Sequence, residues 1–97
     1  TSLGYDPDAT VQTVALCGGA GGEFIGAARA AGADAYVTAD VRYHDFCDNR
    51  SGMAIFDIGH FESEAYAVAI FKNILSAKMP EFPTHISTSQ KNPVKYI

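Results

Sequence analysis

Apolar runs recur along the chain at intervals that suit a small sheet. Three of them show no clear apolar/polar alternation, and a shorter run follows near the C-terminal end. Strands are therefore predicted at residues 11–17, 35–38, 53–58 and about 84–87. Strands without alternation are typical of parallel sheets with both faces covered. Asp57 is a polar exception in the third run, and either accepts backbone N–H groups or faces a site.

Segments with helical character lie between and after these runs. Helices are predicted at residues 23–31, 41–48 and 61–79. Gly32 suits the C-terminal cap of the first helix, and Pro80 ends the last. Tyr66, Phe71 and the other apolar residues of the long helix recur at helical spacing, so we expect them in the core.

The alternation of strands and helices predicts an α/β fold. We expect a layered domain with a mostly parallel or mixed sheet of about four strands, flanked by helices. Residues 1–10 (TSLGYDPDAT) carry little hydrophobic patterning and are expected to be a linker or a loop leading into the domain. The ordered domain is therefore expected to span residues 11–97.

Composition narrows the class of protein. With 47% hydrophobic and 19% charged residues, the 97-residue chain suits one globular domain and not a disordered one. A net charge of -4 with scattered Lys and Arg argues against direct nucleic-acid binding. No apolar run approaches the roughly 20 residues of a membrane span, so a soluble protein is expected. Cys17 and Cys47 form no CxxC pair, which favours a reducing compartment, the cytoplasm by default.

Three polar clusters follow the first three predicted strands. They are residues 18–22 (GGAGG), the set Thr38, Asp40 and His44, and the set Gly59, His60 and Glu64. Since ligands bind beyond the carboxyl ends of parallel strands, we expect the three clusters to face one edge of the sheet.

The glycine run at residues 18–22 has two interpretations. Its successive backbone N–H groups could form an anion-binding concavity before a helix. However, the run lacks the Lys-Ser/Thr of a Walker A loop and does not match G-x-G-x-x-G. The alternative is a tight strand-to-helix turn that needs glycine geometry.

Asp40 and His44 stand four residues apart and would share one side of a helical turn if that segment is helical. A carboxylate and an imidazole in this relation suit proton transfer or the outer shell of a metal site. In the alternative, Asp40 caps the short helix and His44 packs among Tyr43 and Phe46.

His60 and Glu64 have the same spacing, about 6 Å of rise along a helix, which allows them to bind one metal ion or to flank two. Imidazole and carboxylate ligands suit zinc, iron or manganese. In the alternative, Glu62 and Glu64 complement the positive end of the helix and His60 is a partly exposed capping residue. Two ligands do not complete a site that takes three or more from protein.

Four segments of the chain, taken in their order along the sequence, match a known pattern. They are VALCGGAG at residues 14–21, AGADAYVTADVRYHD at 31–45, DIGHFESE at 57–64 and NPVKYI at 92–97. Together they resemble the C-terminal part of the Nif-three-like family, whose members are also labelled type 2 homologues of GTP cyclohydrolase I. The resemblance covers about residues 11–97.

The resemblance implies roles for particular residues. His60 and Glu64 match the family's Gly-His-x-x-x-Glu segment, which supplies two ligands of a dinuclear metal site. The other ligands in the family, a His-His pair and an Asp, belong to the N-terminal half, and this chain contains no His-His pair. The family's Thr-Gly-Asp-x-x-x-His motif corresponds to Thr38, Asp40 and His44, with alanine in place of the glycine. Asp40 and His44 are therefore candidates for a catalytic or outer-shell role.

The resemblance also implies cofactors, partners and an activity. We expect a C-terminal domain whose N-terminal half is absent, two divalent metal ions per full-length subunit, and weak metal binding by this chain alone. The implied partners are that missing half and further copies in a homo-oligomer, a hexamer in full-length members. The implied activity is that of a metal-dependent hydrolase of unproven substrate, with this chain inactive by itself.

Two hypotheses of other classes stay open. One is a non-enzymatic interaction or regulatory module in which the metal site is structural, so that protein atoms fill its coordination. The other is a nucleotide-binding domain that uses residues 18–22, which phosphate would stabilise without metal.

Overall fold

The computed structural model describes residues 2–4, 6–50 and 52–97. Within these residues the sheet has four strands, β1 (Ser2–Leu3), β2 (Val14–Ala20), β3 (Ala35–Ala39) and β4 (Ala54–Asp57). Their order across the sheet is β1-β4-β3-β2. β2 and β4 both pair in parallel with β3, whereas β1 is antiparallel to β4. The prediction of an α/β fold with a mostly parallel or mixed sheet of about four strands is confirmed.

The fourth strand comes from a different part of the chain than predicted. Ser2 and Leu3 pair with Phe56 and Ile55, within the segment that was expected to be a linker or leading loop. Residues 84–87 join no strand ladder in the described part of the chain, so the strand predicted there is wrong. Pro83 precedes them and has no N–H to donate to a ladder. A two-residue edge strand has too little local pattern to be recognised from sequence.

Helices connect the parallel strands. A 3₁₀ turn (Gly22–Phe24) and α1 (Ile25–Ala30) lie between β2 and β3, and α2 (Tyr43–Asp48) lies between β3 and β4. Gly32 has a φ of 78°, the left-handed geometry that a C-terminal cap requires. The first two predicted helices are confirmed with shorter bounds.

The long helix predicted over residues 61–79 is two elements. α3 is His60–Glu64 and α4 is Ala67–Lys78, which ends shortly before Pro80. The aromatic residues expected in the core are exposed, Tyr66 by 79% and Phe71 by 64%. That expectation was wrong because helical spacing shows which residues share a face and not whether anything covers it. Among the described residues, no helix has the length and hydropathy to cross a membrane.

The chain forms two compact units, Thr1–Ser63 and Glu64–Ile97. In the first unit a cluster of buried hydrophobic residues forms the core. Its members come from α1, β3, β4 and the segments that precede the two strands: Ile25, Ala28, Ala33, Tyr36, Met53 and Ile55. On β2, Leu16 is 75% exposed. The expectation that both faces of the sheet are covered therefore fails at this strand.

Candidate functional site

Segments that follow the parallel strands meet at one edge of the first unit, as predicted. Gly19 N at the end of β2 donates to Ser63 Oγ at 2.8 Å, and Thr38 Oγ1 of β3 donates to Gly19 O at 3.2 Å. Thr38 is fully buried. No sequence signal distinguishes Ser63, since it is one polar residue among several in FESE.

Asp40 follows β3 directly and does not belong to a helix. Its φ is 52°, and among the described residues it is the only non-glycine residue with a positive φ. Aspartate is one of the few residue types that adopt this left-handed conformation with some frequency. Since α2 begins only at Tyr43, the prediction that Asp40 and His44 share a helical turn is wrong.

The alternative, in which Asp40 caps α2, is wrong as well. Arg42 is the N-cap residue, and its backbone N–H donates to Asp45 Oδ2 at 3.2 Å. The Arg42 guanidinium also donates to Asp45, at 2.9 Å to Oδ2 and 3.1 Å to Oδ1. These hydrogen bonds hold the pKa of the Asp45 carboxyl below its ordinary value. Arg42 and Asp45 therefore cap α2, and the side chain of Asp40 makes a different contact.

That contact is with His60, the first residue of α3. The Nδ1 atom of His60 lies 2.6 Å from Oδ2 of Asp40, although the two residues are 20 apart in the chain. Both side chains are about half exposed, 50% for His60 and 54% for Asp40. Carboxylate and imidazole thus form a pair that solvent and a ligand can both reach, which suits proton transfer or support of a metal ligand.

Asp57, the last residue of β4, fixes the backbone on both sides of this pair. Its Oδ2 accepts the Val41 N–H at 2.9 Å, and its Oδ1 accepts the Gly59 N–H at 3.1 Å. Val41 follows Asp40, and Gly59 precedes His60. One carboxylate therefore joins the two turns that carry the pair, which is the first of the two roles the sequence left open for Asp57.

His44 packs against Tyr43, and the Asp40–His60 pair forms without it. It is exposed on α2, and its ring stands edge-on to Tyr43 with the ring centroids 5.8 Å apart and an interplanar angle of 72°. The packing of His44 against Tyr43 agrees with the structural alternative that the sequence left open. Its proposed partnership with Asp40 is replaced by the contact between Asp40 and His60.

The glycine run begins inside β2, which extends to Ala20. Gly19 N donates to Ser63 Oγ and Gly21 N donates to Ala39 O at 3.3 Å, so two of the N–H groups available to an anion already have protein acceptors. The Tyr36 hydroxyl donates to Gly21 O at 2.8 Å, and burial raises the pKa of this phenol, which keeps it a donor. The run is better explained as a tight turn than as an anion site.

His60 and Glu64, the metal ligands implied by the resemblance, have side chains of types that bind metal ions. His60 is the first and Glu64 the last residue of α3, and imidazole and carboxylate are suitable ligands for zinc, iron or manganese. Across residues 2–4, 6–50 and 52–97, no group of three or more His, Cys, Asp or Glu side chains is placed to hold a metal ion. The residues present therefore fit part of a metal site.

Comparison with known proteins identifies the class and then the family. The solved structure of Staphylococcus aureus protein SA1388 matches all of this chain and 33% of its own, with a TM-score of 0.79 and 25% identity. A Bacillus cereus protein related to NIF3 matches all of this chain and 28% of its own, with a TM-score of 0.77 and 30% identity. The α/β class and the arrangement of its elements are thus shared with NIF3-related structures.

The sequence comparisons agree. The family described as Duf34/NIF3 (NGG1p interacting factor 3) matches residues 1–93. The GTP cyclohydrolase 1 type 2 homolog of Mycobacterium leprae is 46% identical over 61 residues, 61% of this chain and 16% of that protein. The protein of the same name from Clostridium perfringens is 30% identical over 94 residues, 95% of this chain and 36% of that protein. The chain belongs to the DUF34/NIF3 family, and it spans little more than a third of these relatives at most.

Proposed function

We propose that this chain is the C-terminal part of a DUF34/NIF3 protein that binds two divalent metal ions, with His60 and Glu64 as two of the ligands. The observation that carries the proposal is the pair formed by His60 and Asp40 at 2.6 Å, half exposed at the sheet edge where ligands bind. The relatives supply further support, because most of their length has no counterpart in these 97 residues. The remaining ligands would come from that part.

The activity we propose is metal-dependent hydrolysis of a substrate that the chain alone does not identify. Bound metal ions of this kind would supply Lewis-acid activation of water. The work of this chain's own residues is to hold the ligand side chains. Asp57 fixes the two turns, and Asp40 keeps the His60 ring in place. Asp40 and His44 remain candidates for direct proton transfer, and the contact of Asp40 with His60 favours the supporting role for Asp40.

An interaction or regulatory module with a structural metal site is the second candidate. Exposed apolar side chains favour it, because monomeric proteins seldom leave many large ones uncovered. Leu16 is 75% exposed on the sheet, and Ile70 and Phe71 on α4 are 58% and 64% exposed. In the first candidate the same residues would meet the rest of the protein or other copies in a homo-oligomer. A filled coordination shell would favour the module, whereas an open position for water would favour the hydrolase.

Of two further expectations, one carries over as a proposal and the other does not. We place the protein in the cytoplasm, supported by Cys17 and Cys47, which are both free thiols. We do not propose nucleotide binding at the glycine run, because Gly19 and Gly21 already donate their N–H groups within the protein.

Metal content measured by elemental analysis tests the proposal. The full-length protein and the 97-residue chain would each be compared with and without His60→Ala, with His85→Ala, an exposed histidine, as the control. We expect about two metal ions per full-length subunit, as in other two-metal hydrolases, loss of metal in His60→Ala and no change in His85→Ala. The short chain should hold little metal, since it supplies too few ligands.

Two results would count against the proposal. Unchanged metal content in the full-length His60→Ala variant would refute the ligand assignment. If neither form of the unsubstituted protein binds metal, the hydrolase proposal fails and the interaction module takes its place.

A further inference from the structure

We propose that Asp40 is a positioning residue for His60, which it holds in the tautomer that carries its proton on Nδ1. A neutral ring then carries its lone pair on Nε2, the atom that would bind metal. The statement about the tautomer stands on this chain alone. The statement about metal rests on the function proposed above.

The hydrogen bond itself determines where the proton lies. An ionised carboxylate only accepts hydrogen bonds, so the contact of 2.6 Å between Oδ2 of Asp40 and Nδ1 of His60 requires a proton on Nδ1. Its short length is typical of a bond to a charged acceptor. In a neutral ring the other nitrogen then carries the lone pair.

The backbone conformation at Asp40 directs this carboxylate toward His60. A non-glycine residue with a φ of 52° is in a sparsely populated conformation that persists only where its surroundings impose it. Asp57 imposes it from one side by accepting the Val41 N–H, and the same carboxylate accepts the N–H of Gly59 next to His60. Asp40 and His60 are thus tied to each other through one shared acceptor as well as through their own contact.

The chemical consequence concerns the strength of a metal ligand. A carboxylate that accepts the second ring N–H of a ligating histidine fixes the tautomer and raises the basicity of the other nitrogen. Loss of such a partner typically costs about 10–100-fold in metal affinity. Asp40 would therefore act on metal through His60, without being a ligand itself.

The tautomer can be read directly by long-range ¹⁵N–¹H correlation NMR on the metal-free 97-residue chain, at a pH where the His60 ring is neutral. The signals of His60 are assigned from their absence in His60→Ala. We expect the Nδ1–H form in the unsubstituted chain, a shift toward the Nε2–H form in Asp40→Gly, and no shift in Asp48→Asn, which removes an exposed carboxylate on α2. Glycine at position 40 accepts the left-handed backbone, so the fold is not strained by this change.

Several results would overturn the inference. An Nε2–H ring in the unsubstituted chain refutes it without any variant, and so does an Asp40→Gly ring that keeps its proton on Nδ1. If Asp40→Gly does not fold, Asp40→Asn replaces it, because a neutral amide of the same size is a weaker acceptor and should raise the Nε2–H fraction. An unchanged fraction in that variant would equally refute the role of Asp40.

The second part is tested by Zn²⁺ titration of the full-length protein against a chromophoric chelator. We expect affinity to fall about 10–100-fold in Asp40→Gly and to stay the same in Asp48→Asn. Unchanged affinity in Asp40→Gly would refute its effect on metal binding. Failure of the metal proposal has a different result: His60→Ala would leave the metal content of the full-length protein unchanged, while the NMR result for the His60 tautomer would still stand.

Discussion

Substitution of Gly21 by alanine should strongly destabilise the first unit, because no space exists for a methyl group there. A Cβ atom on Gly21 would lie 2.1 Å from Thr38 Oγ1, 2.6 Å from the Tyr36 hydroxyl oxygen and 3.0 Å from Cys17 Cβ. Tyr36 is 2% exposed and Thr38 is fully buried, so neither side chain can swing into solvent. Both must move within a packed interior.

The cost follows from what those two side chains do. Thr38 Oγ1 donates to Gly19 O and the Tyr36 hydroxyl donates to Gly21 O, and displacement would break both hydrogen bonds. Each bond contributes about 1 kcal/mol. Overpacking of an interior costs about 1–3 kcal/mol. The free energy of unfolding should therefore fall by about 3–5 kcal/mol, a large part of the roughly 5–15 kcal/mol available to a domain.

Urea denaturation followed by far-UV circular dichroism measures this, and it suits a chain without tryptophan. Gly26→Ala is the matched control. Apart from its chain neighbours and the backbone of α1 itself, no described residue has an atom within 4 Å of a Cβ at Gly26, so alanine there should stabilise by about 0.5–1 kcal/mol. In a Tyr36→Phe, Thr38→Ala background the two nearest atoms are gone, and Gly21→Ala should cost only about 1 kcal/mol. A loss below 1 kcal/mol in the wild-type background, or an equal loss in both backgrounds, would refute this reasoning.

Two other predictions concern pH and the core. Hydrogen bonds from the backbone N–H groups of Thr13 and Gln12, both 2.9 Å, lower the pKa of the Asp34 carboxyl below its ordinary value of 3.8. Because this pKa is lower in the folded state, its contribution to stability is complete above the unfolded pKa and is lost as the pH falls through the folded one. Thermal melts of the wild type and of Asp34→Asn should therefore differ at pH 7 and converge below about pH 3.8, whereas an equal difference at every pH would contradict the assignment. In the core, Ile55→Ala should cost about 2–5 kcal/mol, because Ile55 is fully buried. Ile58→Ala, at a side chain 47% exposed, should cost much less, and similar urea midpoints for the two variants would show that the core is not where we place it.

Local sequence pattern was sufficient to predict the class of fold and the sheet edge at which the candidate site lies. Apolar runs without alternation, separated by helical segments, are a local property, and they predicted the parallel arrangement of β2, β3 and β4. Gly32 likewise predicted the end of α1, because a left-handed cap favours glycine whatever surrounds it. The Gly-His-x-x-x-Glu segment and its neighbours in order were enough to indicate the family that the comparisons then showed.

Contacts between distant residues required the tertiary structure. Spacing paired Asp40 with His44, which holds only inside a helix, and Asp40 instead lies outside α2 in a left-handed turn. Its partner His60 is 20 residues away and is brought close by the parallel pairing of β3 with β4, in which Thr38 lies opposite Asp57. No local period encodes such a register.

Sequence alone was enough to predict the three parallel strands with the helices between them, the edge at which their polar residues collect, and the family. The folded structure was needed to show which of those residues meet, which strand completes the sheet and which apolar residues stay exposed. Ser2–Leu3 form a strand because β4 offers them an edge, and Tyr66 is exposed because helical spacing alone buries nothing. The physical reason is the same in each case: propensity and periodicity act between neighbours in the chain, whereas pairing, burial and the contact between Asp40 and His60 depend on segments far apart in sequence.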